Sequence, residues 1–305
     1  PVDKKGRSLY PAISWLDTRA TEEVSLIRAK FKDRDIYRIT AKRLNSGYVL
    51  PKILWLKKNQ KDVFKNTYKF LMSKDYLIFK MTGNFVTDHT LAAGTLLYDI
   101  KNTAWSGKIL KTFSLSGELL PQIKWSTESA GNLTPAAARY LGLAAGTPVI
   151  AGGQDQKCAA FAARTGKGTV TISLGTAAAI SAVTDKPLID PQRRIPTFPF
   201  VLKDKWILEG VVPTACANIE WLKNIFGIEE TGIDNYPPYA KKPGELFFYP
   251  HLQGAGSPHW KESLRGVFYG LTLSMSREEM MHSVMMGITF EIRENMENIE
   301  NKNKK

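Results

Sequence analysis

The residues 151–156, AGGQDQ, form the stretch with the clearest chemical potential, because an acid follows two glycines there. Glycine lets a backbone turn tightly and lets a ligand approach closely. An acid at the carboxyl end of a strand lies where open α/β sheets place their binding crevice. The alternative is an ordinary turn in which Asp155 hydrogen-bonds nearby backbone, and this stretch by itself favours that alternative.

Two more stretches could serve a ligand. Residues 173–176, SLGT, put a Gly-Thr pair at a predicted strand end, where N–H groups and a hydroxyl suit phosphate oxygens. The chain has no GxxxxGK[ST], so this is not a Walker loop, and a common β-turn is the alternative. Residues 13–19, ISWLDTR, offer a Trp face that suits the C–H side of a sugar. A core Trp beside a structural ion pair is equally compatible.

Residues 47–56, GYVLPKILWL, predict an amphipathic helix with Pro51 at its first position and Trp55 in core packing. His251 and His259 lie close together in the segment 248–260. Since neither HExxH nor a nearby cysteine accompanies them, we expect no protein-bound metal site there.

The first half of the chain reads as mainly helical. A helix over 21–30 carries acids in its first turn. Ser73 is expected to cap a helix that ends at Gly83. Thr134 and the proline after it open another helix that ends near Gly142.

The second half favours strands. A short apolar run at 147–151 predicts a buried strand, and strict alternation over 169–174 predicts a half-buried one with a hairpin partner at 179–183. Further strands are expected at 206–211 and 246–249, with helices at 217–225 and from Arg277 onward. These blocks predict a two-domain α/β protein, divided near Gly146 into 1–145 and 146–305.

The chain has 305 residues and a net charge of +13. A basic chain can bind nucleic acid, a membrane surface or an anionic substrate. The lysines are scattered, as at Lys57–Lys58 and Lys241–Lys242, without a basic–aromatic cluster, which favours solvated faces. We therefore expect neither nucleic acid nor membrane as a partner. Cys158 and Cys216 form no CxxC pair, which is typical of a reducing, cytoplasmic setting.

Taken in order, these stretches resemble the FGGY carbohydrate kinases. Residues 51–56 resemble the first family signature and 266–286 the second, and the likeness runs from about Ile13 to about Arg293. Within the family, 74–77, 82–83 and 87–88 look most like the xylulokinases and their close relatives.

The resemblance implies the two-domain actin-like ATPase fold, built from ribonuclease H-like α/β domains. It implies ATP-dependent phosphorylation of a small sugar, such as the ketopentose D-xylulose, with Mg²⁺ as cofactor. A kinase for glycerol, gluconate or ribulose, and a non-catalytic sugar-binding remnant, stay open as alternatives. Association into a homodimer is a further expectation.

The resemblance also assigns roles by position. It makes Asp155 the general base. The expected sugar-side residues are Trp15, Gly47 and Gln156. The expected ATP-side residues are Gly175 and Thr176 at the phosphates and Cys216, Ile219 and Glu220 along the nucleotide.

Some family features do not occur in this chain. No Asp-x-Gly-Thr loop precedes Ile13, and no Gly-rich adenine-site region follows the second signature. Val49, Ala255 and Met286 replace the residues usual at their positions. These departures predict a fragment or truncated copy, partial in fold and unable to phosphorylate sugar by itself.

Overall fold

The computed structural model describes residues 1–228 and 245–303, so Lys241–Lys242 lies outside the described residues. The chain divides into two compact units. The first comprises Pro1–Ala162 and Thr184–Ile207, and the second comprises Ala163–Val183 and Leu208–Lys305. Gly146, our sequence-based boundary, lies within the first unit, and the proposed family domains 1–145 and 146–305 stay a prediction.

The described residues form both helices and strands. The helices are α1 (Thr21–Lys30), α2 (Asp33–Thr40), α3 (Val49–Asn59), α4 (Lys61–Asn66), α5 (Ser73–Thr82), α6 (His89–Ala92), α7 (Gly107–Thr112), α8 (Pro135–Leu141), α9 (Asp155–Ala162), α10 (Cys216–Phe226) and α11 (Arg277–Asn303). The strands are β1 (Val86–Asp88), β2 (Tyr98–Asp99), β3 (Ala104–Trp105), β4 (Gln122–Lys124), β5 (Ser129–Asn132), β6 (Pro148–Ile150), β7 (Val170–Leu174), β8 (Ala178–Thr184), β9 (Thr197–Pro199), β10 (Trp206–Val212), β11 (Phe247–Tyr249) and β12 (Val267–Tyr269).

The helix boundaries follow local chemistry. Thr134 accepts a hydrogen bond from the Ala137 N–H at 3.2 Å, and Gly142 ends α8 at a left-handed φ of 68°, both as predicted. Gly83 likewise ends α5, with a φ of 79°. The Ser73 cap was wrong: the cap position is Met72, whose N–H donates to Asp75 at 3.2 Å. Here a carboxylate in the first turn of the helix accepts from the backbone N–H of the cap residue.

Apolar helix faces form the main core of the first unit. Ile27, Ile36 and Leu50, from the first three helices, are fully buried in one cluster. Pro51 is the third residue of α3, two residues later than a proline start predicts, because Val49 already takes the first helical position. Burial of such side chains stabilises a fold by ~1.5–3 kcal/mol each.

Most strands of the first unit form two-stranded pairings. β1 runs parallel to β4, and β2–β3 and β5–β6 are antiparallel pairs. Ile150 in β6 is 58% exposed, so the prediction of a buried strand there was wrong. The reason is that β6 belongs to a two-stranded sheet and no layer in the described part of the chain covers its outer side.

In the second unit, β7 and β8 form the predicted antiparallel hairpin, in which Ile172 pairs with Ile180. β10 lies beyond β8, so β7 is an edge strand. Ile172 and Leu174 are exposed, contrary to the half-buried pattern that their alternation predicts. Alternation fixes which side chains share a face, whereas tertiary packing decides whether that face is covered.

α11 begins at Arg277 as predicted and packs against β11. A Cβ at Gly287 would lie 2.2 Å from the carbonyl oxygen of Phe248, so this close approach requires glycine. Among the described residues, no helix is long and apolar enough to cross a membrane.

A few buried lysines are exceptions to the expectation that the basic side chains form solvated faces. Lys42 is fully buried and donates to the Thr197 carbonyl oxygen at 2.6 Å. Lys69 donates to the carbonyl oxygens of Glu118 and Leu120 at 2.6 and 3.0 Å. A buried ammonium is tolerated when its donors meet acceptors, and here carbonyl groups supply them.

Candidate functional site

Asp155 is the first residue of α9, and its side chain is exposed. Its Oδ1 atom accepts from the N–H of Gln156 at 2.9 Å and from the side-chain amide of Gln154. Asp155 therefore makes the contact with nearby backbone that is expected of an aspartate in an ordinary turn. The residue nevertheless lies at the surface, where a general base can reach a ligand.

Gly152 and Gly153, which precede Asp155, are needed for different reasons. Gly152 adopts a φ of 64°, which L side chains rarely tolerate. A Cβ at Gly153 would lie 2.6 Å from Val201 Cγ1 and 3.0 Å from Cys158 Sγ. Residues 151–154, hereafter the glycine loop, are thus closely packed and conformationally restricted.

A buried carboxylate lies beneath the glycine loop. Asp88 is fully buried at the start of α6 and accepts from the Thr90 N–H at 2.9 Å and the Thr90 hydroxyl at 2.6 Å. The Ser126 hydroxyl donates to it at 2.8 Å, and the Lys74 ammonium lies 3.1 Å away. We call Lys74, Asp88, Thr90 and Ser126 the Asp88 network.

The Asp88 network also holds the glycine loop. The Lys74 ammonium donates to the Ala151 carbonyl oxygen at 2.7 Å. The Gly152 N–H donates to the Ser126 carbonyl oxygen at 2.9 Å, and the Gln154 N–H donates to the Thr90 hydroxyl oxygen at 2.8 Å. The backbone that carries Asp155 is therefore tied to buried charged and polar groups.

Asp75 is a second buried carboxylate beside this network. Its Oδ1 atom lies 3.8 Å from the Lys74 ammonium and has no hydrogen-bond partner within the described part of the chain. Burial raises the pKa of Asp75 to about 7, although Lys74 opposes the shift. Two carboxylates thus share one ammonium.

Trp15 and Gly47, both predicted on the sugar side, are neighbours. A Cβ at Gly47 would lie 2.8 Å from the Trp15 carbonyl oxygen. Lys52 fixes this arrangement, because its ammonium donates to the carbonyl oxygens of Ser14 and Gly47 at 2.6 and 2.7 Å. The Trp15 side chain is 77% exposed, so it is a surface group and not a core one.

The neighbouring ion pair is structural. The Arg19 guanidinium pairs with Asp17 at 2.7 Å and lies 5.0 Å from the centre of the Trp55 ring. Hydrogen bonds from Arg19 lower the pKa of Asp17 to about 2. Asp17 is thus held ionised as a partner for Arg19.

Gly175 and Thr176 form the turn between β7 and β8. Their carbonyl oxygens accept from the N–H groups of Cys216 at 3.0 Å and Ala215 at 2.8 Å, which joins the turn to the start of α10. The Gly175 N–H donates to the Ala177 carbonyl oxygen at 3.0 Å. That N–H is thus engaged in this structure, whereas the Thr176 side chain is exposed, and the phosphate-side role of both residues stays a prediction.

Cys216, Ile219 and Glu220 lie in the first turns of α10, at a spacing that puts them on one side of the helix. Cys216 and Ile219 are half-buried. Glu220 is exposed and pairs with Lys223 at 3.3 Å. The nucleotide-side role of this group stays a prediction.

Sequence reasoning missed Lys52 and the Asp88 network. The sequence pattern placed Lys52 only in an amphipathic helix. The stretch around Lys74 and Asp88 contributed only to the resemblance to the xylulokinases. The available signal was an Asp-x-Thr sequence at 88–90, which is typical of a helix cap. The link between the Asp88 network and the glycine loop consists of tertiary contacts, which the sequence pattern does not show.

Comparison with known proteins gives a consistent result. The profile described as "FGGY family of carbohydrate kinases, N-terminal domain" matches residues 1–162, and the one described as its C-terminal domain matches residues 170–305. The recognition made from the ordered motifs is thereby confirmed.

Among curated relatives, a xylulose kinase of Bacillus subtilis is 33% identical over 97% of this chain and 60% of its own length. A gluconokinase of the same organism is 27% identical over 95% of this chain and 59% of its own length. A solved ligand-bound xylulose kinase of Lactobacillus acidophilus has a TM-score of 0.88 at 27% identity, covering 97% of this chain and 61% of that one. The expected fold class is thereby confirmed, and the chain spans about three fifths of these relatives' length.

Proposed function

Because the chain belongs to the FGGY family of carbohydrate kinases, we propose that the protein transfers the γ-phosphate of ATP to a hydroxyl of a small sugar. A ketopentose such as D-xylulose is the proposed substrate. The xylulose kinases among its relatives support that choice.

The observation that carries this proposal is the placement of Asp155. An exposed carboxylate begins a helix directly after a restrained glycine loop, and the Asp88 network fixes that loop from below. Phosphoryl transfer needs little covalent help from the protein and depends on positioning and charge. Asp155 would accept the proton of the attacking sugar hydroxyl.

The proposed sugar-side groups of the first unit have matching chemistry. The exposed Trp15 indole would cover the C–H side of the sugar. Gly47 lets the backbone pack closely against that of Trp15, and the half-buried Gln156 would contact sugar hydroxyls. Polar groups of this kind orient a small ligand.

For the nucleotide, we propose the second unit. The exposed Thr176 hydroxyl and the first turns of α10, with Cys216, Ile219 and Glu220, are the groups that would meet ATP. Mg²⁺, when bound with ATP, neutralises charge on the phosphates. The Thr176 hydroxyl oxygen belongs to the class of ligand that Mg²⁺ accepts.

A gluconate kinase is the second candidate, supported by the gluconokinase relatives. Both substrates present several hydroxyls, but gluconate also carries a carboxylate. A measured preference between them therefore distinguishes the candidates.

The test is made on the intact protein, because residues 1–305 by themselves are expected not to phosphorylate sugar. It is ADP release in a coupled assay with ATP, Mg²⁺ and D-xylulose, ribulose, glycerol or gluconate, alongside calorimetry of each sugar. Release that depends on D-xylulose, with the highest kcat/KM in the panel, supports the proposal. A higher kcat/KM for gluconate moves the assignment to the second candidate. Sugar binding without ADP release would overturn the kinase proposal in favour of a non-catalytic sugar-binding protein.

A further inference from the structure

Two histidines and two glutamates face one another in the second unit. His251 and His259 lie in the segment after β11, and Glu291 and Glu294 lie on α11. The His259 Nε2 atom is 3.0 Å from Glu294 Oε2, and the His251 Nε2 atom is 3.4 Å from Glu291 Oε1. The two imidazole ring centres are 6.4 Å apart.

The donor atoms are spaced for a shared ion. One ligand atom each from His259, Glu291 and Glu294 lies within 4.8 Å of the other two. Around tetrahedral zinc, bond lengths of ~2.0–2.2 Å place ligand atoms ~3.3–3.6 Å apart. The His259 and Glu294 side chains are 42% and 43% exposed, so small rotations can close that difference.

The buried carboxylate of this cluster favours a positive charge nearby. The Glu291 side chain is only 10% exposed, and a buried carboxylate is costly unless a cation or strong donors accompany it. A divalent cation would accompany the Glu291 and Glu294 carboxylates together, and imidazole and carboxylate are both ligands that zinc accepts.

The surrounding structure holds the two donor-bearing elements in register. Asn295 is fully buried, and its amide donates to the carbonyl oxygens of Ser257 at 2.8 Å and Glu291 at 2.9 Å. Ala255 and Lys261 exchange backbone hydrogen bonds at 2.9 and 3.1 Å, which closes the loop that carries His259. The elements that carry the proposed metal ligands are therefore held together without an ion.

We propose that His259, Glu291 and Glu294 bind a divalent transition-metal ion, best matched by Zn²⁺. The ion would join the segment that carries both histidines to α11, so its role is structural. The absence of HExxH and of nearby cysteines had predicted no such site, because the glutamates come from a distant part of the chain.

The test uses the untagged chain, stripped of metal by a chelator and then titrated with ZnCl₂ by calorimetry and with CoCl₂ by visible absorption. His259→Gln and Glu294→Gln are compared with Glu297→Gln. Glu297 is an exposed acid on the same helix that pairs with Arg293 at 2.8 Å, which makes it a matched control.

We expect one saturable Zn²⁺ site in the wild type and in Glu297→Gln, and affinity weaker by about tenfold or more in the other two variants. Zn²⁺ should raise the Tm of the wild type and of Glu297→Gln only, because a ligand that binds the folded state stabilises it. Equal Zn²⁺ affinity in Glu294→Gln and Glu297→Gln would overturn the proposal. So would the absence of saturable binding, or a cobalt–thiolate band that places the ion on Cys158 or Cys216. Both test positions are partly exposed, and circular dichroism confirms that each variant is folded.

Discussion

Asp155 is the residue on which the proposed proton transfer depends. Asp155→Asn keeps the shape of the side chain and its contact with the Gln156 N–H, but removes the basic oxygen. We expect kcat to fall by ~10²-fold or more, because general-base catalysis contributes ~10²–10⁴-fold. Sugar affinity measured by calorimetry should be retained.

The matched control for this change is Asp99→Asn. Asp99 also accepts from nearby backbone N–H groups, those of Lys101 and Asn102 at 3.0 and 3.1 Å. It has no proposed part in the reaction, so its kcat should equal that of the wild type. Turnover of Asp155→Asn within tenfold of the wild type would contradict the base assignment.

Asp75 makes stability depend on pH. Its pKa is about 7 in the folded chain, against an ordinary value of 3.8. Between these values the folded state holds a proton that the unfolded state has lost, so the free energy of unfolding falls as pH rises from about 4 to about 7. Since a tenfold change in proton affinity corresponds to ~1.4 kcal/mol, the fall is at most ~4 kcal/mol.

Asp75→Asn should remove this fall, because an amide does not ionise. We expect the variant to gain stability relative to the wild type as pH increases, with the two closest near pH ~4. Urea unfolding of both proteins across this pH range measures the difference. A difference that is the same at every pH would show that Asp75 ionises normally.

At the scale of elements, the glycine loop depends on the start of α6. The Gln154 N–H bonds to the Thr90 hydroxyl, which itself donates to buried Asp88. Thr90→Val keeps the side-chain shape but leaves that N–H without its acceptor, whereas Thr90→Ser keeps the hydroxyl. A lost hydrogen bond of ~1 kcal/mol raises the local opening equilibrium about fivefold.

We therefore expect faster amide exchange at Gln154 in Thr90→Val and wild-type exchange in Thr90→Ser, measured by hydrogen–deuterium exchange. In the proposed kinase, Thr90→Val should also lower kcat more than it changes sugar affinity, because Asp155 would be positioned less well. Identical exchange in both variants would show that the loop holds its conformation without the Asp88 network.

At the scale of the whole molecule, the net charge of +13 does not amount to a nucleic-acid surface. Several lysines are buried and bonded to carbonyl oxygens, as Lys42 and Lys69 are, so formal charge overstates the charge that a polyanion would meet. Non-specific DNA binders show a Kd of ~10⁻⁴–10⁻⁶ M at physiological salt. We expect no retarded band with random duplex at up to ~100 µM protein in a gel-shift titration at physiological salt, and a band within that range would restore the nucleic-acid hypothesis.

The sequence by itself determined the family, the fold class and the elements whose signals are local. α8 illustrates this, since Thr134 and Gly142 mark its ends through bonds and dihedral angles within a few residues. The β7–β8 hairpin is similar, because alternation and a short turn define its register. Interactions between near neighbours can be read in order along a chain.

Only the tertiary structure decided which side chains are buried and which distant groups meet. Ile150 is exposed in a strand that was predicted to be buried. Asp88 lies beneath the glycine loop, and Glu291 and Glu294 lie beside His259. Desolvation and long-range hydrogen bonds depend on what packs above a residue, which periodicity does not encode. The groups that hold Asp155 are separated along the chain and become neighbours only through folding.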